Sequence, residues 1–354
     1  MSVRPRCHGI SPTIAGRLAH RLHLARLVPL SQINSMRYAV FGGCLESDLD
    51  FPSLPSAPHG QPATWRLRVS SAPAPRVALT ALREEALSDR LTVQVARAGE
   101  CVRVTYTDTG AYDLSSDGRT ITWHRPEGAD AADARLDVLG TMLGLAMHLR
   151  DRLTLHGSAV AVKDGALVFL APSGYGKSTL AMSLTLAGAR FMSDDAVPVR
   201  IDGDAVIAAP GVPSPRFRED SFARFSREPA GATAESSGKR SLGDRLTDDI
   251  VEPHERPLAA VYLLHPVSPA PGAEPRREVM APTAATIAVL QNAKLAKVLW
   301  PDESPRLLGL VADVTRRVRV WRLDVPRDLE QLPALAEQLL EWHGAGVRDA
   351  ASWR

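Results

Sequence analysis

Between residues 64 and 124 apolar and polar positions alternate with a period of two in short runs, the pattern of half-buried strands. Residues 64–69, 91–96, 101–106 and 120–124 read this way, with turn residues such as Ala98-Gly99 and Asp117-Gly118 between them. The period then changes. From residue 132 to about 151, Leu136, Leu139, Leu143 and Met147 recur at helical spacing, which predicts one amphipathic helix with these four in the core. Two nearly continuous apolar runs follow, 159–162 and 166–170, and read as a strand pair. Leu180, Leu184 and Ala187 mark a helix face, Gly188 a helix stop, and 190–192 the start of another strand. Beyond Val212 the chain is rich in Pro, Ser, Gly and charge up to about Pro257, which predicts a mobile excursion over whatever lies beneath. The rest reads as a strand (258–264), a Pro- and Ala-rich loop (266–275), helices (283–290 and 304–314), a strand (318–323) and a terminal amphipathic helix (328–342).

This order of elements divides the chain into a smaller β-rich N-terminal domain over 36–130, an α/β domain over 131–345 and a short tail over 346–354. Residues 1–35 stand apart. They carry Arg4, Arg6, Arg17, Arg21 and Arg26 without one Asp or Glu, and a partly amphipathic run over 14–30. A targeting or membrane-surface helix has that composition. So does an upstream extension of the reading frame, and Met36 directly before Arg37-Tyr38-Ala39-Val40-Phe41 favours the extension, with little order expected.

Composition narrows the function classes. A formal net charge of +2 is spread along the chain and gives no nucleic-acid signature. No apolar run approaches the roughly 18 residues that span a bilayer, so no membrane partner is expected. Cys7, Cys44 and Cys101 share no metal-like spacing and suggest a reducing, cytoplasmic compartment. Trp300, Trp321 and Trp342 have no basic groove beside them and read as packing residues.

Candidate chemistry is concentrated in three strings. Residues 171–179 read Ala171-Pro172-Ser173-Gly174-Tyr175-Gly176-Lys177-Ser178-Thr179, between an apolar strand and a helix. In such a turn, successive backbone N–H groups and the helix N-terminus surround a phosphate, Lys177 reaches the outer phosphates, and Ser178 ligates magnesium. The usual pattern opens on Gly, so Ala171 fits only where its φ is negative. One helix later comes Ser193-Asp194-Asp195, which the topology sets near the phosphates. One acid there can hold the metal with Ser178 while the other takes a proton from an incoming hydroxyl. His156-Gly157-Ser158 precedes the strand pair, and its His, taken alone, reads as structural.

Together, H-G-S, A-P-S-G-Y-G-K-S-T and R-F-M-S-D-D resemble the HPr serine kinase superfamily, whose core reads H-G, G-x-S-G-x-G-K-S and A-D-D. The spacing agrees: His156 lies 15 positions before Ala171, and Asp194 lies 23 after it. Upstream, Tyr38-Ala39-Val40-Phe41-Gly42 and Ser47-Asp48-Leu49-Asp50-Phe51-Pro52 look like the opening of HPr-kinase-related proteins of bacterial peptide-modification clusters, lasso-peptide clusters among them. The resemblance implies an α/β fold with an HPr-kinase-type P-loop core, mixed sheet and flanking helices, and an ATP- and Mg2+-dependent serine kinase. It implies Asp195 as general base, His156 as support of the phosphate site, Lys177 on phosphate, and Ser178 with Asp194 on the metal, the two Asp roles being exchangeable. The acceptor it implies is a Ser of a peptide or small protein, first a ribosomally made lasso-type precursor and second an HPr-like carrier. A nucleotide-binding switch without transfer is the alternative of a different class. Homo-oligomers are implied as well, since HPr kinases are hexamers. The chain departs from HPr kinase/phosphorylases at Ala208-Ala209-Pro210-Gly211-Val212-Pro213, which lacks their acidic metal ligand. Gly238-Lys239-Arg240-Ser241 stands where such kinases keep a mobile basic loop, and it reads equally as a solvated loop.

Overall fold

The computed structural model describes residues 35–86, 92–217, 221–222, 225, 240–241, 246, 249–268, 274–296 and 299–344. The expectations for residues 1–34, Gly238-Lys239 and the tail lie outside the described residues. Eight strands form the first sheet: β1 (Met36–Val40), β2 (Gly43–Ser47), β3 (Trp65–Ser70), β4 (Leu79–Ala86), β5 (Thr92–Ala98), β6 (Cys101–Tyr106), β7 (Gly110–Leu114) and β8 (Thr120–His124). Their order is β1-β2-β3-β8-β7-β6-β5-β4, with β3 parallel to both of its neighbours. Alternation sends Trp65, Leu67, Val93, Val95, Val104, Tyr112, Ile121 and Trp123 inward. The motif residues at the start are structural. Phe41 and Gly42, both at positive φ, make the two-residue turn between β1 and β2. The Tyr38 hydroxyl donates to Asp50 Oδ1 at 2.7 Å and accepts from Phe51 N–H, and the two rings meet edge to face.

The expected single helix is three pieces: α1 (Ala131–Asp137), a π-helical turn (Val138–Met142) and α2 (Leu143–His148). The π turn inserts an extra residue and rotates the buried face. Leu136, expected in the core, is consequently 51% exposed, while Ala134, Val138, Met142, Leu143 and Met147 are buried.

The second sheet combines β9 (Leu153–Leu155), β10 (Gly157–Val162), β11 (Gly165–Leu170), β12 (Arg190–Ser193), β13 (Val197–Asp202) and β14 (Ala205–Ala208) with later strands. A small ribbon pairs β15 (Arg216–Phe217) with β16 (Arg240–Ser241), so the end of the expected basic loop is a paired strand. The sheet is completed by β17 (Arg256–Val267), β18 (Arg277–Val279) and β19 (Val320–Pro326). β11, β17 and β19 are mutually parallel, and β12 shares their direction because β10 runs antiparallel to both β11 and β12. Four carboxyl ends therefore meet along one edge, where open α/β sheets bind ligands.

Helices α3 (Lys177–Ala187) and α6 (Leu332–Trp342) cover one face with Leu180, Leu184, Leu335 and Leu339 against Leu167 and Phe169. The other face, with Ala166, Val168 and Leu170, belongs to a core shared with α4 (Pro282–Gln291), α5 (Ser304–Arg317) and the first sheet. Side chains from both sides of the division expected near residue 130 belong to that core. Trp300 packs in that core, whereas Trp321 and Trp342 hold the Arg277 guanidinium 4.4 and 4.2 Å from their ring centres. No helix among the described residues is long and apolar enough to cross a membrane.

Candidate functional site

The segment from Ala171 to Gly176 joins β11 directly to α3. Gly174 and Gly176 both sit at φ +86°, a left-handed conformation that costs glycine little and any other residue more. Gly176 is the N-cap of α3 and offers no side chain to its first N–H groups, at the helix end that favours an anion. Ala171 is absent from the positive-φ positions and is fully buried, so the residue that breaks the usual Gly pattern sits there without strain. Its carbonyl accepts from Lys177 Nζ at 2.7 Å, and the Pro172 carbonyl accepts from the same ammonium at 3.3 Å. Tyr175 stands at the loop tip, 40% exposed.

Asp194 follows β12 and is only 7% exposed. Three donors from three segments hold it in place. Ser178 Oγ donates to both carboxylate oxygens at 2.9 Å, Ser158 Oγ to Oδ1 at 2.5 Å, and the Arg216 backbone N–H to Oδ2 at 3.0 Å. The close approach explains a glycine in the segment that lacks an acid. A Cβ at Gly211 would stand 2.0 Å from Ser193 Oγ, so that stretch supports Asp194 by backbone packing instead of a side-chain ligand. Gly157 is fixed likewise, since a Cβ there would lie 2.7 Å from the Phe169 carbonyl.

Asp195 differs in every respect. It is 49% exposed at its side chain, and its backbone is left-handed at φ +66°. Its Oδ1 lies 3.1 Å from His156 Nδ1, and its Oδ2 is paired with the Lys294 ammonium. Partial burial alone raises its pKa. The His156 hydrogen bond and the Lys294 charge outweigh burial and hold the carboxyl well below the usual carboxylate range. His156 Nε2 in turn lies 3.4 Å from Lys177 Nζ, so the three expected catalytic side chains touch in sequence.

These groups open onto one cavity of 660 Å³ at the carboxyl edge of the sheet. Ser173 through Thr179, Asp194, Asp195 and His156 line it on the β11–β12 side, and Pro266, Val325, Pro326 and Leu329 line it where β17 and β19 end. Ala171 and Pro172, expected with the others on the phosphate, are not among the lining residues and meet the site through their carbonyls, which accept from Lys177. Arg216 and Lys294 are functional candidates that no motif indicated: they come from distant stretches with no chemical pattern around them. Among the described residues no cluster of three acidic, His or Cys side chains forms a metal cage. The Ser178 hydroxyl and the Asp194 carboxylate are hard oxygen donors already converged within hydrogen-bond distance. That donor set suits magnesium, which takes one or two carboxylates and fills its other positions with water and phosphate oxygens.

No family model matches the chain, and no curated protein matches it. Among solved structures it is similar to the Hpr(Ser) kinase/phosphatase from Coxiella burnetii, at 15% sequence identity and a TM-score of 0.30, over 54% of this chain and 95% of that chain. A likeness at that level carries no argument about function, which has to be read from the site.

Proposed function

We propose that this chain is an ATP-dependent phosphotransferase that moves the γ-phosphoryl group of ATP to a serine hydroxyl of a peptide or small protein. The observation that carries the reading is the division of labour between neighbouring acids on one phosphate-loop cavity. Asp194 is buried and bound by Ser178, whereas Asp195 is half exposed with its carboxylate on the cavity. A site that only binds a nucleotide has no need of the second acid.

The loop N–H groups and the α3 N-terminus hold the triphosphate, and Lys177 exchanges the Ala171 and Pro172 carbonyls for phosphate oxygens. Ser178 and Asp194 are the residues that would hold magnesium. Bound there, the ion supplies neutralisation of phosphate charge. Asp195 accepts the proton of the acceptor hydroxyl, and its low pKa keeps it ionised and ready across the neutral range. A transition state of loose character makes modest demands on base strength, so a positioned weak base suffices.

The resemblance at Tyr38–Gly42 and Ser47–Pro52 favours a ribosomally made precursor peptide of the lasso class as acceptor, ahead of an HPr-like carrier. Incubation of the protein with ATP, magnesium and such a precursor tests this. The expected result is a mass gain of one phosphate on a serine; nucleotide binding with no gain on either acceptor would leave a nucleotide switch as the better account.

A further inference from the structure

Lys294 stands outside every motif, yet its ammonium ends on Asp195, paired with Oδ2 and 3.4 Å from the carbonyl of the same residue. The segment that carries it follows α4 and is zipped to β9 and to His156, which directly follows that strand. His156 N–H donates to the Asn292 carbonyl at 2.7 Å, Lys294 N–H donates to the Thr154 carbonyl at 2.9 Å, and Leu155 pairs with Ala293. Ala293 and Leu295 are buried and anchor this turn from below. The two side chains that grip Asp195 thus come from two segments tied together through their backbones.

The ring of His156 can be assigned from its neighbours. Lys177 has only donors, so its contact makes Nε2 the acceptor and places the ring proton on Nδ1, directed at Asp195. Among the described residues Lys294 is a permanent cation paired with Asp195. Each carboxylate oxygen has two acceptor positions. Lys294 occupies one on Oδ2 and His156 one on Oδ1, which leaves one on each for a ligand in the cavity.

We propose that Lys294 is a positioning residue for phosphoryl transfer: together with His156 it clamps the Asp195 carboxylate in the orientation from which it takes the acceptor's proton. This rests on the phosphotransfer reading above. In that step the hydroxyl oxygen bonds to the γ-phosphorus while the bond from that phosphorus to the bridging oxygen breaks, its electron pair leaving on ADP. The hydroxyl proton passes to Asp195, and Lys294 keeps all its protons.

The test uses the full chain with Lys294→Met, Lys294→Arg, Asp195→Asn and the double variant Asp195→Asn/Lys294→Met, reading ADP release from ATP and magnesium with a serine peptide. Lys294→Met is expected to lower kcat about 30-fold, within the range that misplacement of a catalytic group costs, with KM for ATP held within about twofold. Arginine restores the charge and recovers kcat to within about fivefold of wild type. Because Lys294 acts through Asp195, adding Lys294→Met to Asp195→Asn costs less than about twofold more, which a merely structural role would not produce. A rise in KM for ATP at constant kcat would make Lys294 a nucleotide ligand and overturn the proposal, as would unchanged kinetics or additive losses in the double variant. Should Lys294→Met fail to fold, Lys294→Gln, which keeps a donor without the charge, carries the same test. Wild type that turns over ATP beside an unimpaired Lys294→Met overturns only the role of Lys294; wild type that releases no ADP overturns the phosphotransfer reading and the proposal with it.

Discussion

Ser158→Ala removes one hydroxyl from the floor of the site. Ser158 is fully buried and donates to Asp194 Oδ1 at 2.5 Å, holding a carboxylate that is itself 7% exposed. A hydrogen bond to a charged group contributes about 1.5–3 kcal/mol. Asp194 keeps its Ser178 and Arg216 donors, so the lower end applies, about 1.5 kcal/mol. At about 2–4 °C per kcal/mol for a domain of this size, Tm falls by about 3–6 °C. The functional effect is larger. An outer partner that orients a metal-binding carboxylate supports affinity by about 10- to 100-fold, so Mg·ATP is expected to bind about tenfold more weakly. Urea unfolding measures the first quantity and equilibrium titration with nucleotide the second. Ser183→Ala is the control: its hydroxyl donates to the Thr179 carbonyl within α3, and its loss should leave nucleotide affinity unchanged. If Ser158→Ala unfolded within about 0.5 kcal/mol of wild type and bound Mg·ATP equally well, the Ser158–Asp194 bond would have no part in the site.

Two further predictions concern the frame. Burial holds the Asp137 carboxyl protonated up to about pH 7, with Asp108 adding to the effect and hydrogen bonds from Thr109 and Tyr112 opposing it. The unfolded group ionises near pH 4, so native stability falls as pH rises from about 4 to 7 and then levels off. Asp137→Asn should accordingly gain about 2–4 kcal/mol on wild type between pH 4 and pH 8 in urea unfolding, and a difference constant with pH would contradict this. Gly211→Ala puts a methyl 2.0 Å from Ser193 Oγ and 2.7 Å from the Ala196 carbonyl. It should cost about 1–3 kcal/mol and weaken nucleotide binding by displacing the Ser193–Asp195 turn, whereas a wild-type melting curve would show that the turn moves freely.

Much of this arrangement can be read from residues close in the chain. The loop from Ala171 to Thr179 is one unbroken string, and Asp194-Asp195 follows it by a single helix, so local pattern and the direction of β12 suffice to bring them together. Strands β5, β6 and β8 declare themselves because one face of their sheet is packed and the other is not. Other strands escaped for physical reasons: β9 is three residues long, and β4 is an edge strand with little buried side chain to set a period. Leu136 was misassigned because a π turn, invisible in hydrophobic spacing, shifts the helix face. In the site, the same limit hid Lys294, whose partner Asp195 is 99 residues away, and Arg216, which acts through a backbone N–H that any residue type could supply. Ser158 was visible as a letter beside His156, but its task became legible only once β10 lay between β11 and β12.

The central claim is that adjacent acids perform separate tasks on one cavity, and a comparison of Asp194→Asn with Asp195→Asn tests it most directly. Equilibrium binding of Mg·ATP and phosphate transfer to a serine peptide are measured on both. The account predicts that Asp194→Asn loses Mg·ATP affinity by about tenfold or more, while Asp195→Asn binds Mg·ATP like wild type and loses transfer by about a hundredfold or more. Equal loss of binding in both variants, or transfer that survives Asp195→Asn unchanged, would contradict it.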